Sequence, residues 1–214
     1  VTSLSNAVRS TSTNDKLRNI FIQDFTSHLE DLDTLYKFGK FKGWEETYPT
    51  YKTSIVQTKE QLSTSEAFHI WDHITMRYEQ TELIGIFASF AHDTEFRVIL
   101  QHELYIYNKQ IATLEKLALK LNVPLPNRPA LPVQSPIDPE MITDRFMYRI
   151  VLSWELDSLE AHARAIMECI RNESLRKLWK EFLKAELEDY DKYLKYGKLK
   201  GWTRVVPIYG EPVT

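Results

Sequence analysis

A chain of 214 residues with 43% hydrophobic, 27% charged and 12% aromatic residues has the profile of a globular protein, neither disordered nor fibrous. A chain this long buries roughly 70% of its unfolded surface, so folding needs no metal or disulfide staple. The net charge of −3, with no long basic stretch, argues against a nucleic-acid partner. The one cysteine, Cys169, excludes an internal disulfide and suits a reducing, cytoplasmic setting. The longest strongly apolar run, Ile84 to Ala91, is far short of the about 20 residues of a membrane span. No signal peptide is visible. The chain starts at Val1, already in a helix-like pattern, and we expect it to be a fragment of a longer protein.

In chain order, Val1 to Val8 reads as a stub of helix. A full helix follows within 14–40, from about Asp15 to Phe38, with Leu17, Ile20, Phe21, Phe25, Leu29, Leu32 and Tyr36 as its apolar positions. Ser63 and Glu66 have capping-box spacing, so the next helix should run from about Ser65 to His92. Its stripe reads Ala67, Ile70, Trp71, Ile74, Tyr78, Thr81, Gly85, Ala88. Asp93 caps another, with Phe96, Ile99, Glu103, Ile106, Gln110, Leu114, Leu117 and Leu121 on one face. Asn122 is a plausible end signal and Pro124 forbids continuation. Asp138-Pro139-Glu140 reads as a start signal for a helix reaching Arg171, and Asn172-Glu173 caps the last, ending near Gly197 and Gly201.

The short joints inside each pair predict antiparallel hairpins. The proline-rich connection Val123 to Ile137 spans roughly 45 Å if extended. That predicts a crossover along the whole bundle, with the second and third of these four helices parallel. The fold class is therefore all-α, a ferritin-like four-helix bundle with a long Pro-rich crossover, plus a partial preceding repeat. The helix from Met147 to Ile170 carries two apolar stripes with a polar row between them, Arg149, Asp157, Glu160, Arg164, Glu168, Arg171. It needs a second neighbour beyond its own bundle.

The end of the chain is duplicated near its start. Lys37-Phe38-Gly39-Lys40-Phe41-Lys42-Gly43-Trp44 matches Lys195-Tyr196-Gly197-Lys198-Leu199-Lys200-Gly201-Trp202 at an offset of 158 residues. Over 14–52 the ungapped match has 15 identities in 39 positions, too many for chance. Residues 1–63 are thus the C-terminal half of a first repeat, and 64–214 a complete second one. The two helix pairs, the proline-rich crossover, Trp71, the Asn-Val-Pro-Leu-Pro run at 122–126 and the Lys-Gly-Trp tail carry a resemblance. The chain resembles an uncharacterised ferritin-like, domain-of-unknown-function family of spore-forming Gram-positive bacteria, often in tandem repeat and likened to spore coat proteins. The resemblance implies a structural or interaction role, self-association as a homodimer or binding to other coat-type proteins, and deposition on the spore. It implies no catalytic residue.

The residues themselves offer little chemistry. A di-iron bundle needs Glu-x-x-His on two helices; His102 beside Glu103 does not supply it, and Glu181, Glu186 and Glu188 have no histidine. Glu66-x-x-His69, with Asp72 and His73, is expected to be a solvated polar face, an adventitious zinc or nickel site being the alternative. Glu103 and Gln110 sit in an apolar stripe and should pair with a basic residue such as Arg149; a carboxylate cluster with Glu82 is the other reading. Cys169 reads as packing, and Lys195, Lys198 and Lys200 as complements to a helix dipole. No catalytic, cofactor-binding or metal residue is assigned, and no cofactor is expected. The functional alternative is a carboxylate-bridged, di-iron or di-manganese enzyme or metal store.

Overall fold

The computed structural model describes residues 2–44, 62–128 and 142–204. Among them the chain is all-helical: α1 (Thr2–Ser10), α2 (Asp15–Lys42), α3 (Thr64–Phe90), α4 (Thr94–Lys120), α5 (Asp144–Glu168) and α6 (Glu173–Leu199). Each long helix begins where a side chain can take up an orphan amide. Asn14, Ser63, Asp93, Thr143 and Asn172 accept from the backbone N–H three residues on. Ser63 and Glu66 complete the expected capping box. The start of α5 corrects the sequence reading. Its cap is Thr143, and the Asp138-Pro139-Glu140 signal lies outside the described residues.

Three helices end alike. At α4, Asn122 takes φ 55°, Val123 N–H donates to Ala118 O and Asn122 N–H to Leu119 O. This paired arrangement satisfies two orphan carbonyls and needs a residue that tolerates a left-handed backbone. Gly43 and Gly201 play that part at α2 and α6, with Trp44 donating to Gly39 O and Trp202 to Gly197 O.

Helix directions follow from the contacts. Only three residues separate the end of α3 from the start of α4, and Tyr78 of α3 meets Glu115 of α4, so these two are antiparallel. His69 meets Glu168, Phe87 stacks on Trp154, and His92 N–H donates to Asp144, so α5 is also antiparallel to α3. Hence α4 and α5 are parallel, as expected from the length of the segment joining them. Most of that segment, 129–141, lies outside the described residues.

The apolar stripe of α3 drifts from its expected course. Ala67, Ile70, Ile74 and Tyr78 are buried, but Trp71 is exposed, and Ile84 and Phe87 replace Thr81, Gly85 and Ala88 in the core. The second apolar face of α5 is met by α1, and α2 lies on α6. The helix 15–38 thus packs on its own chain. Phe25 and Leu29 are fully buried there, worth about 1.5–3 kcal/mol each. Leu17, Ile20, Leu35 and Phe38 remain exposed.

Candidate functional site

Half-way along α3–α6 the apolar core is interrupted. Ile70, Ile74, Ile111, Leu114 and Leu159 belong to one apolar cluster, and Ile84, Phe87, Leu100, Val151 and Tyr193 to another. Between them sits Arg77, fully buried. All five of its N–H groups are used. Nε donates to Gln110 Oε1 at 2.7 Å; Nη1 donates to Gln80 Oε1 at 2.6 Å and to Ser158 Oγ at 3.0 Å. Nη2 donates to Glu186 Oε2 at 2.8 Å and to His162 Nε2 at 3.2 Å. The guanidinium lies over the Tyr107 ring, 4.0 Å from its centroid, and the Tyr107 hydroxyl donates to Glu155 Oε1 at 2.6 Å. One side chain from α3 thus ties together α4, α5 and α6.

Three buried carboxyls share this layer, and their environments split them. Burial would raise Glu186, but the Arg77 charge outweighs it and holds it at about 2. Burial pushes Glu103 up to about 8, with the charges of Glu186 and Asp189 adding to it. Burial, then Glu186 and Glu103, push Glu155 well above the carboxylate range. At neutral pH the layer therefore holds one ion pair, Arg77–Glu186, and two protonated carboxyls. Burial also lowers His162, and His73, which the His162 ring stacks on at 4.9 Å. His162 accepts from Arg77 through Nε2, so a neutral ring carries its proton on Nδ1.

This arrangement overturns two expectations. Glu103 does not pair with Arg149, whose Nε donates instead to Trp202 O at 3.1 Å; the interior cation is Arg77. The Glu66–His69–His73 run is not solvated. Glu66, His69 and His73 are all buried, because that edge of α3 faces the start of α6 and the end of α5. Glu66 Oε2 accepts from Ser63 N–H, and Oε1 accepts from Arg171 N–H, Asn172 N–H and Cys169 Sγ. His69 Nε2 meets Glu168 Oε2 at 2.8 Å, and Asp72 is half-buried. His102 is exposed and Glu82 half-buried. Among the described residues no three His, Cys, Asp or Glu side chains are grouped to hold a metal ion. Arg77, Gln80, Glu155, Ser158 and His162 escaped sequence reasoning, and Glu186 was noted there only as a carboxylate without a histidine. Their signal was their place in the 3–4 spacing that joins apolar core positions, as in Val151-Glu155-Ser158-His162-Ile166.

A second polar construction joins α1–α2 to α5–α6. Arg18 Nε and Nη2 donate to Asp191 Oδ1 at 2.9 and 2.8 Å, and Arg176 Nε donates to Asp33 Oδ1 at 2.8 Å. Positions 18 and 176, and 33 and 191, are related by the 158-residue offset, so α2 crosses α6 antiparallel and each gives the other the same pair. The offset also relates several further contacts of the seam. Arg18 Nη1 donates to Thr11 O and Ser12 O, and Arg176 Nη1 to Cys169 O and Ile170 O. Lys40 pairs with Glu173 at 3.2 Å, and Lys198 with Asp15. Lys37 pairs with Asp33 at 2.8 Å, and Lys195 with Asp191 at 2.6 Å. Burial would raise Asp33, but Lys37 and Arg176 hold it at about 2. The terminal lysines are thus ion-pair partners rather than dipole complements alone; Lys200 reaches Asp93 at 2.7 Å and Glu95 at 2.8 Å.

No helix among the described residues is long and apolar enough to cross a membrane. No curated protein matches the chain. In fold it is similar to a solved structure from Bacillus halodurans C-125 described as a "putative spore coat protein". The TM-score is 0.63 and the identity 19%, covering 69% of this chain and 95% of that one. Residues 51–212 match the model of the family described as "Protein of unknown function (DUF3231)", and the chain belongs to that family.

Proposed function

We propose that this protein is a non-catalytic assembly module: a ferritin-like four-helix bundle repeat, α3–α6, preceded by the second half of another, α1–α2, which works by binding its own kind or other coat-type proteins on the spore. The observation that carries this reading is the Arg77 layer. The mid-bundle position where carboxylate-bridged metals do their chemistry is filled here by a guanidinium with all five N–H groups consumed. Glu103 and Glu155 are held protonated beside it, in the state that does not ligate a cation. Three points support the rest. The capping and ending of α2 and α6 agree across the 158-residue offset, and so do the pairs made by Arg18, Asp33, Lys37 and Lys40 and their counterparts. Leu17 and Leu35 are exposed while Leu175 and Tyr193, 158 residues on, are buried in the core, as a half-bundle would have it. The structural neighbour's own description supplies the spore setting.

Two measurements test the proposal. Produced from its own promoter in a sporulating bacillus, the protein should fractionate with the extracted spore coat; recovery only from the mother-cell cytoplasm would overturn the spore assignment. Untagged protein incubated with ferrous iron or manganese and desalted should carry far less than one metal per chain. Stoichiometric metal would favour a carboxylate-bridged centre built on Glu103, Glu155 and Glu186 and would overturn the structural reading.

A further inference from the structure

The seam between α1–α2 and α5–α6 uses one set of residues twice, and α6 carries both halves of that set. Its bases at the seam are Arg176, Lys180, Lys184 and Lys198. Their partners on α2 are Asp33, Glu30 and Asp15. A shift of 158 residues turns those acids into Asp191, Glu188 and Glu173, which are also acidic and lie on α6 itself. The converse fails for α2. Where α6 has Lys180 and Lys184, α2 has Ile22 and Thr26. Glu188 is exposed, so α6 holds an acid that its neighbour in the same chain gives no lysine to meet. The apolar positions are kept: Phe25 and Leu29 of α2 correspond to Leu183 and Leu187.

We propose that the α5–α6 face is an isologous docking surface whose full partner is the α5–α6 hairpin of a second copy of this chain, and that α1–α2 occupies this face within the chain. This deepens the assembly reading above and rests on it for its purpose, not for its geometry. Two-fold pairing needs a residue i to meet j while j meets i. Arg18–Asp191 and Arg176–Asp33 already obey that rule within one chain. Between two copies, Arg176 would meet Asp191 of the partner subunit twice, with the axis near Leu183 and Lys184. Glu188 would meet the partner's Lys180 and the partner's Lys184, also twice, where the present seam has such a contact once. The tethered α1–α2 holds the face through effective concentration, not through the better fit.

The test uses the full chain. Arg18→Glu with Glu30→Lys sets a carboxylate against Asp191 and an ammonium against Lys180 and Lys184, so α2 loses its seat. The new carboxylate at position 18 also repels Asp33, which disfavours pairing between two α2 helices. The expected result is a twofold rise in molar mass by light scattering relative to wild type, with faster hydrogen exchange in α2 and unchanged exchange in α3–α4. Adding Glu188→Lys should return the mass to the wild-type value, while Glu188→Lys alone leaves wild type unaltered. Glu30→Lys alone, at an exposed position, should give a weaker, concentration-dependent rise and serves if the double variant misfolds. Wild-type mass with α2 released, or a rise that Glu188→Lys does not reverse, overturns the proposal. So does an α2 that stays protected, because charge reciprocity would then not be what seats it. None of these outcomes bears on whether the protein resides in the spore coat.

Discussion

Glu103 sets the most accessible test at the scale of a residue. Its folded-state pKa of about 8 lies above the ordinary 4.5, so the native state holds a proton that the unfolded chain gives up between those values. Stability must therefore fall as pH rises through that window and level off above it. Glu103→Gln keeps the shape of the neutral carboxyl and removes the titration. It should leave stability near pH 5 almost unchanged and add on the order of a few kcal/mol at pH 8, or about 5–10 °C in the thermal midpoint. Parallel pH profiles for variant and wild type, followed by thermal melts from pH 5 to 8, would count against this assignment. Glu103 and Gln110 were visible in the sequence because they broke an apolar stripe. Arg77 was passed over because its 3–4 spacing from Ile74 and Gln80 is the only local sign that it faces inward; four of the partners that satisfy it come from 33, 81, 85 and 109 residues away.

Two equivalent glycines at the scale of the element face different neighbours. Gly197, in the last turns of α6, lies where an added Cβ would overlap the Tyr148 ring, itself stacked on Tyr193 at 4.8 Å. Gly39, at the same place in α2, has open space around it. Gly197→Ala should cost about 1–3 kcal/mol through overpacking, whereas Gly39→Ala should stabilise by up to about 1 kcal/mol through helix propensity. Denaturant unfolding of the two single variants compares them directly, and equal effects would show that the Tyr148 contact is not what excludes the side chain. Helix starts were the most legible part of the fold, since Asn14, Ser63, Asp93 and Asn172 act locally on amides three residues away. The start of α5 was misread because Thr143 is an equally good cap and the Asp138 signal competes with it on purely local grounds. The drift of buried positions along α3 was hidden for a different reason. Which face of a long helix is inward changes with the neighbour, and α3 is packed by both α4 and α5.

The two halves of the whole molecule are joined by a seam that the 158-residue repeat made partly foreseeable, since it named α2 and α6 as equivalents without saying that they touch. Arg18 and Arg176 are both fully buried and both bonded to a partly exposed aspartate and to two carbonyls. Arg18→Met and Arg176→Met should each cost roughly 1–3 kcal/mol, and by similar amounts, because each removes a buried guanidinium's bonds to one aspartate and two carbonyls. A cost confined to one of the two, read from denaturant unfolding, would show that the seam is reciprocal in sequence only. The acid limit of the seam follows from Asp33, held at about 2: its contribution is intact above the ordinary 3.8 and is lost only as pH falls from there towards 2. The pairing of α2 with α6 also has a consequence in time. Some 157 residues separate the end of α2 from the end of α6, and at the about 5–20 residues per second of protein synthesis this is a wait of roughly 10–30 s. Throughout it α2 lacks the helix it comes to lie on, so the seam forms late, and its buried apolar positions, Phe25 and Leu29, stay open to chaperone binding until α6 is made.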